Sequence, residues 1–293
     1  MDFVLIGIIL GMKGVQGYFN KKVSRYLEER TAYITYLAFN MALSMLFAGL
    51  LLLFEAEKPV FNGPTFWYAF LCGISVAICT FANLMALKEG AVVLVQVFAT
   101  AGILVPCVAG VFLFQEAISV LQLAGMGVLI VSAAFLMQYN STLYGKITPK
   151  MVLLLIVTLV SNGTAMLAQK LFAFYVPAGS VSLFSLLSFG IPAVLFASAV
   201  LPTAKAEKKK IEMPPGKVLI FGAVLAVACL LVSQLSTVVS KTLPSVLVFP
   251  IVNGGGLILS TIIAALFFKE KLTGKSIIGL LLGVCALLVI NEF

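Results

Sequence analysis

Residues 105–137 read VPCVAGVFLFQEAISVLQLAGMGVLIVSAAFLM, and residues 105–136 of this stretch align without a gap on residues 259–290, which read LSTIIAALFFKEKLTGKSIIGLLLGVCALLVI. In this register Glu116 falls on Glu270, at an offset of 154 residues. A second register, at an offset of 149 residues, relates two further pairs: Gly14 with Gly163, and Lys21 with Lys170. The chain therefore contains two related halves.

The composition is that of an integral membrane protein. Of the 293 residues, 62% are hydrophobic and 10% are charged, and the mean hydropathy is +1.16. Soluble globular proteins carry roughly a quarter charged residues. Apolar stretches of about 18 to 24 residues, long enough to cross a bilayer as helices, recur between short polar connections. We count ten such spans: residues 2–20, 32–54, 66–87, 91–114, 118–139, 150–176, 179–201, 217–240, 244–268 and 273–291.

The ten spans predict an all-α membrane fold made of two inverted repeats. Backbone polar groups inside a bilayer must bond to one another, so each span is expected to be a helix. Five spans lie in residues 1–140 and five in residues 150–293. Because five is an odd number, the second half must enter the membrane from the opposite side, which makes the two halves an inverted repeat.

Two motifs occur in both halves. A glycine in the first span is followed seven positions later by a lysine, and an acidic residue after the fourth span precedes a glycine-rich fifth span. In a chain of ten spans, this pattern resembles the drug/metabolite transporter superfamily, in its ten-helix EamA-like branch. The resemblance implies a central cavity lined mainly by spans 1, 3, 4, 6, 8 and 9, with spans 5 and 10 packed outside. It also implies alternating access and the export or exchange of small metabolites.

Lys13 is the charged residue that lies deepest in a predicted span. A charge at the centre of a span costs about 2.5–3.5 kcal/mol, so it normally faces the bundle interior or a water-filled cavity. Gln16 and Asn20 follow at i+3 and i+7 and share its helical face. The alternative is that Lys13 extends to the nearer interface. Other polar residues inside the spans contact either a substrate or a neighbouring helix. We assign to substrate binding Lys13, Gln16, Asn20, Asn83, Gln96, Asn162, Gln234 and Asn253.

The ninth span contains a predicted hinge. Proline removes one backbone hydrogen bond, and the glycines that follow it weaken the helix. The hinge residues are Pro250, Gly254, Gly255 and Gly256. Residues 96–102 are the matching stretch of the fourth span, and softened segments at corresponding positions of two repeats point to a binding site at the midplane.

Charged residues at the span ends have structural roles in this interpretation. Glu116 and Glu270 directly follow the fourth and ninth spans, and each is expected to accept hydrogen bonds from the N-terminal amides of the next helix. The handling of substrate or protons is the alternative. Lys21 and Lys170 are expected to reach the interface or to cap the C-terminus of a helix.

The sequence favours a secondary transporter over an enzyme. It has no histidine, and all eleven Asp and Glu residues lie at or beyond the span ends. No catalytic constellation is visible, and we expect neither a cofactor nor a metal site. A lysine in the first span favours a small anionic or zwitterionic solute, such as an amino acid or another carboxylated metabolite. Proton-coupled export of organic cations or drugs is one alternative, and a channel or an accessory membrane subunit is another.

The expected partners are the lipid bilayer and a small solute, without nucleic acid, and the chain is either a monomer or a homodimer. Two arguments disagree on its orientation in the cell membrane. The connections after odd-numbered spans, counted together with the first three residues of the spans that follow them, contain fifteen of the nineteen Lys and Arg residues. Short cytoplasmic loops collect such residues, so the charges predict that both termini lie outside. The resemblance implies that both termini lie in the cytoplasm.

Overall fold

The structure, a computed structural model, describes residues 2–24, 26–27, 29–55, 61–88, 92–137, 148–208, 210–211, 214–268 and 274–291. Helices make up 88% of the described residues, and these ranges contain no strand. The predicted all-α fold is confirmed.

The helices follow the apolar stretches of the sequence. Within the described part of the chain they are α1 (Asp2–Ser24), α2 (Arg30–Leu53), α3 (Gly63–Lys88), α4 (Val92–Ala101), α5 (Leu104–Leu113), α6 (Val120–Met137), α7 (Pro149–Tyr175), α8 (Val181–Glu207), α9 (Gly216–Val239), α10 (Ser245–Pro250), a π-helical turn (Ile251–Gly255), α11 (Gly256–Phe268) and α12 (Gly274–Asn291).

Eight of these helical segments are long and apolar enough to cross a membrane. In the described residues they are Asp2–Asn20, Arg30–Leu53, Gly63–Asn83, Pro149–Tyr175, Val181–Glu207, Gly216–Val239, Ser245–Phe267 and Gly274–Asn291. Two more apolar helical stretches, Val97–Leu113 and Val120–Phe135, are shorter and lie in the predicted spans 91–114 and 118–139. The chain is therefore a multi-pass membrane protein.

Two of the segments are interrupted. A turn at Gly102 and Ile103 separates α4 from α5, and the amides of these two residues donate to carbonyls three residues earlier, at 3.2 and 3.1 Å. Pro106 removes the amide that would continue the helical ladder to Gly102. In the second half, Pro250 ends α10, and the π-helical turn follows before α11 begins. Wide turns of this kind often occur at functional sites.

Each of the long helices packs against two or more others. α2 packs against α8, and α6 packs against α12. α1 contacts α9 and α11, whereas α7 contacts α3 and α4. The middle of the bundle holds a buried apolar cluster in which Ile9, Ile103, Leu129 and Phe249 bring α1, the turn after α4, α6 and α10 together.

Hydrogen bonds between residues at the helix ends identify the two ends of the bundle. Thr242 Oγ1 donates to Asp2 Oδ2 at 2.9 Å, so the start of α1 and the connection after α9 share one end, which we call the Asp2 end. At the opposite end, the Thr31 end, the amide and hydroxyl of Thr31 donate to Glu207 Oε2 at 3.1 and 2.6 Å. The start of α2 and the end of α8 therefore meet there.

Candidate functional site

A cavity of about 260 Å³ lies between α1, α4, α7, the π-helical turn and α11. Five of the eight residues that the sequence assigned to substrate binding line it: Lys13, Gln16, Asn20, Asn162 and Asn253. The other lining residues are Gly17, Ala99, Thr100, Gly256, Leu257 and Ser260. The cavity begins near the middle of α1 and extends toward the C-terminal end of this helix, where Asn20 is exposed. It therefore reaches toward the Thr31 end.

Lys13 is the only ionisable residue among those that line the cavity in the described structure. Its aliphatic stem passes over Gly256, where an added Cβ would lie 3.1 Å from Lys13 Cβ and Cγ. No hydrogen bond or ion pair joins the Lys13 ammonium to another described residue, although the side chain is partly buried. The cavity is thus lined by a lysine that has no counter-ion among the described residues.

Two asparagines bind the backbone beside the helix interruptions. Asn162 Nδ2 donates to the Ala99 carbonyl at 2.7 Å, and Asn253 Nδ2 donates to the Phe249 carbonyl at 3.0 Å. The same Asn253 nitrogen lies 3.6 Å from Met166 Sδ. Asn253 Nδ2 thus has two partners, whereas Asn162 Nδ2 uses one of its two hydrogens. Each asparagine can therefore offer its Oδ1 as an acceptor to a bound molecule, and Asn162 can also offer one N–H.

Close helix contacts shape the wall opposite Asn162. A Cβ added at Gly17 would lie 2.7 Å from Ser260 Cβ, so the glycine lets α1 approach α11. The sequence analysis missed Ser260 and Leu257 as lining residues. They follow Asn253 at i+7 and i+4, and the periodicity that grouped Lys13 with Gln16 and Asn20 would have found them.

The other three predicted binding residues are not brought into this cavity. Asn83 Nδ2 lies 3.7 Å from Cys79 Sγ, and its buried Oδ1 has no hydrogen bond to a described residue. Gln234 Nε2 donates to Ser182 Oγ at 3.2 Å and lines a second cavity of about 570 Å³, nearer the Asp2 end. The side chain of Gln96 lies outside the described residues.

Glu116 and Lys170 form a buried ion pair near the Asp2 end. Glu116 Oε1 lies 2.9 Å from Lys170 Nζ, which also donates to the carbonyls of Ser240 and Leu243 at 3.1 and 2.8 Å. The Glu116 carboxylate accepts from the amide of Ser245, the first residue of α10, at 2.9 Å. We expected Glu116 to accept from the N-terminal amides of the next helix, α6. This expectation is wrong, because the helix whose N-terminal amide it binds is α10.

Lys170 is likewise buried and does not reach the interface, because Glu116 and the carbonyls after α9 supply its partners inside the protein. One of these carbonyls belongs to Ser240, the C-cap residue of α9, so the alternative expectation, that Lys170 caps the C-terminus of a helix, agrees with the structure. Gly110 makes room for this pair, since an added Cβ would lie 2.5 Å from Glu116 Oε2. Glu270 and the side chain of Lys21 lie outside the described residues.

The predicted hinge glycines are tightly packed as well as conformationally permissive. A Cβ added at Gly254 would lie 2.6 Å from Leu129 Cδ2, and one at Gly255 would lie 2.8 Å from Leu10 Cδ2. Alanine at these glycines would therefore overpack the bundle. These glycines therefore serve close packing at the π-helical turn, whether or not the turn bends.

The comparisons with known proteins bear on the fold alone. No family model matches the sequence, and no curated protein matches it either. A solved structure described only as "Crystal structure of protein" is similar to this chain, with a TM-score of 0.74. The similarity covers 99% of this chain and 96% of the other at 15% sequence identity.

Proposed function

We propose that the chain is a secondary transporter that moves a small anionic or zwitterionic metabolite across a membrane by alternating access. In this proposal it is a ten-span protein of the drug/metabolite transporter type, in which two inverted five-span repeats enclose the cavity at Lys13. The observation that carries the proposal is that Lys13 lines a polar cavity and forms no ion pair with another described residue.

Reciprocal contacts support the inverted repeat. In a repeat, a contact between two spans should recur between their counterparts in the other half. α7 is the counterpart of α1, and α4 lies in the counterpart of the span that contains α11. α1 contacts α11, and α7 contacts α4. The same correspondence holds for single residues. The offset of 149 relates Gly14 to Gly163, and the offset of 154 relates Val105 to Leu259. A Cβ at Gly14 would lie 3.0 Å from Leu259 Cδ2, and one at Gly163 would lie 2.5 Å from Val105 Cβ.

The contact of α6 with α12 supports the same correspondence between the two halves. A Cβ at Gly125 would lie 3.2 Å from the Ala286 carbonyl. The counterparts of these two residues at the 154-residue offset are Gly279 and Ser132, and Ser132 Oγ donates to the Gly279 carbonyl at 2.7 Å. If a pseudo-two-fold axis relates the two halves, α6 and α12 are expected to pack against each other through corresponding residues in this way.

The unequal ends of the bundle support alternating access. The cavity extends toward the Thr31 end, where Asn20 is exposed, whereas the pair of Glu116 and Lys170 ties three segments together near the Asp2 end. A carrier exposes its site to one side at a time by moving one repeat against the other. The conformation described here is, in this proposal, the one that opens at the Thr31 end.

A ligand screen with purified protein tests the proposal. Binding to the native state raises the unfolding temperature by mass action, so a panel of organic acids, amino acids, nucleosides and amines identifies the solute class. We expect stabilisation by an anionic or zwitterionic solute that is lost in Lys13→Met and kept in Lys217→Met, which alters an exposed lysine. A best ligand that stabilises both variants equally would remove Lys13 from the binding site.

A further inference from the structure

The charge in the cavity narrows the class of solute. Among the described residues, Lys13 is the only ionisable one that lines it, and the polar side chains that line it with Lys13 carry amides and hydroxyls, including those of Gln16, Asn162, Asn253 and Ser260. Lys13 also interacts electrostatically with the thiol of Cys229 on α9. The sequence has no histidine, and all eleven carboxylates lie at or beyond the span ends. The sequence therefore predicts no carboxylate at the depth of Lys13.

Net charge then distinguishes three kinds of ligand. A monoanion neutralises the Lys13 ammonium, so the occupied cavity carries no net charge. A zwitterion leaves the cavity with the same positive charge as before and buries a second ammonium without a carboxylate partner. A dianion leaves one negative charge. Because an uncompensated charge away from water is costly, the monoanion is favoured.

The neutral groups of the cavity specify the rest of the ligand. The Nδ2 atoms of Asn162 and Asn253 already donate to backbone carbonyls, which leaves their Oδ1 atoms as acceptors. A ligand hydroxyl supplies the matching donor without adding charge. The cavity volume of about 260 Å³ equals on the order of nine water molecules at about 30 Å³ each, so the ligand is small.

We propose that this cavity binds a small hydroxylated monocarboxylate, whose carboxylate pairs with Lys13 and whose hydroxyl groups donate to the asparagine oxygens. The inference rests on the transporter proposed above, and it selects the anionic solute over the zwitterionic one.

Glycerate and serine form a matched pair of probes. They have the same number of non-hydrogen atoms and differ only at one position, where glycerate carries a hydroxyl and serine an ammonium. Propionate, a carboxylate without hydroxyls, is the third probe. We expect calorimetric titration of the full-length protein in detergent to give an affinity for glycerate at least tenfold higher than for serine or propionate. Lys13→Gln should abolish glycerate binding.

Gln16→Glu tests the charge argument in a protein that keeps Lys13. It adds one negative charge to the cavity with almost no change of shape, so the empty site becomes neutral. The preference should then invert, with serine bound more tightly than glycerate. Retention of the native elution volume and unfolding temperature shows that each variant is folded.

The possible outcomes separate this inference from the proposed function. Serine binding that equals or exceeds glycerate binding in the wild type, with dependence on Lys13, overturns the inference and leaves the transporter proposal in place. The same holds if glycerate fails to bind at millimolar concentration while another solute binds through Lys13. If no solute of the wider panel binds in a Lys13-dependent manner, both proposals are wrong. An unchanged preference in Gln16→Glu also overturns the inference.

Discussion

Lys170 Nζ lies 2.9 Å from Glu116 Oε1, and the two side chains are only 6% and 9% exposed. This pair joins the segment after α5 to α7, and its further hydrogen bonds reach Ser240 and Leu243 after α9 and Ser245 at the start of α10. A single buried interaction thus holds three segments together near the Asp2 end.

Loss of one partner of this pair should destabilise the protein strongly. Lys170→Met leaves a buried carboxylate without a counter-ion, and such a change costs about 3–5 kcal/mol. The double variant Lys170→Met with Glu116→Gln removes that charge and should recover part of the loss. Thermal unfolding in detergent measures the effect, with Lys217→Met as the exposed control. A Lys170→Met variant as stable as this control would show that the ion pair contributes nothing.

The two ends of the bundle should differ in access to water. In a background with Cys229 and Cys285 replaced by serine, Asn20→Cys should react with a polar thiol reagent, because Asn20 is exposed at the mouth of the cavity. Ser245→Cys should remain protected, because Ser245 is buried beside Glu116. Addition of Lys170→Met should expose it. Rapid labelling of Ser245→Cys without that change contradicts a closed Asp2 end.

Gly256 should control the position of Lys13. In Gly256→Ala the added Cβ would lie 3.1 Å from the Lys13 stem, which must then shift. We expect at least a tenfold loss of ligand affinity with little loss of expression. Gly7→Ala is the matched control, since nothing lies within 4 Å of its added Cβ. Calorimetric titration measures both variants, and equal affinity would show that the placement of the stem does not matter for binding.

The charges of the connections predict the orientation. Lys and Arg are concentrated in the connections after odd-numbered spans, so the Asp2 end should face outward. Phe61 is an exposed residue of the connection that precedes α3, at this same end. In intact cells, Phe61→Cys should therefore react with a membrane-impermeant thiol reagent. Protection of this cysteine until the cells are permeabilised would favour the orientation that the family resemblance implies.

Hydropathy and helical periodicity predicted much of the fold and part of the site. The all-helical membrane fold follows from the apolar stretches, and the grouping of Lys13 with Gln16 and Asn20 follows from their spacing on α1. The partner of Lys170 was not predictable in this way. Its ion pair with Glu116 joins residues that are 54 positions apart and depends on how α5, α7 and α10 converge.

Asn83 and Gln234 show the limit of the same reasoning. Polar residues inside spans either line a cavity or bond to a neighbouring helix, and the sequence pattern is the same for both. Gln234 bonds to Ser182 and lines the second cavity nearer the Asp2 end, and Asn83 contacts Cys79 one turn earlier in α3. Helix rotation is determined by packing across the bundle, which periodicity within one helix does not specify.

Solute counterflow in proteoliposomes tests the central claim most directly. Vesicles are loaded with an unlabelled solute that binds through Lys13, and uptake of the same labelled solute is followed from outside. We predict transient accumulation of label above equilibrium, saturation with concentration, and loss of both in Lys13→Gln but not in Lys217→Met. Flux without saturation or accumulation, or flux that persists undiminished in Lys13→Gln, would contradict a carrier whose binding site is built on Lys13.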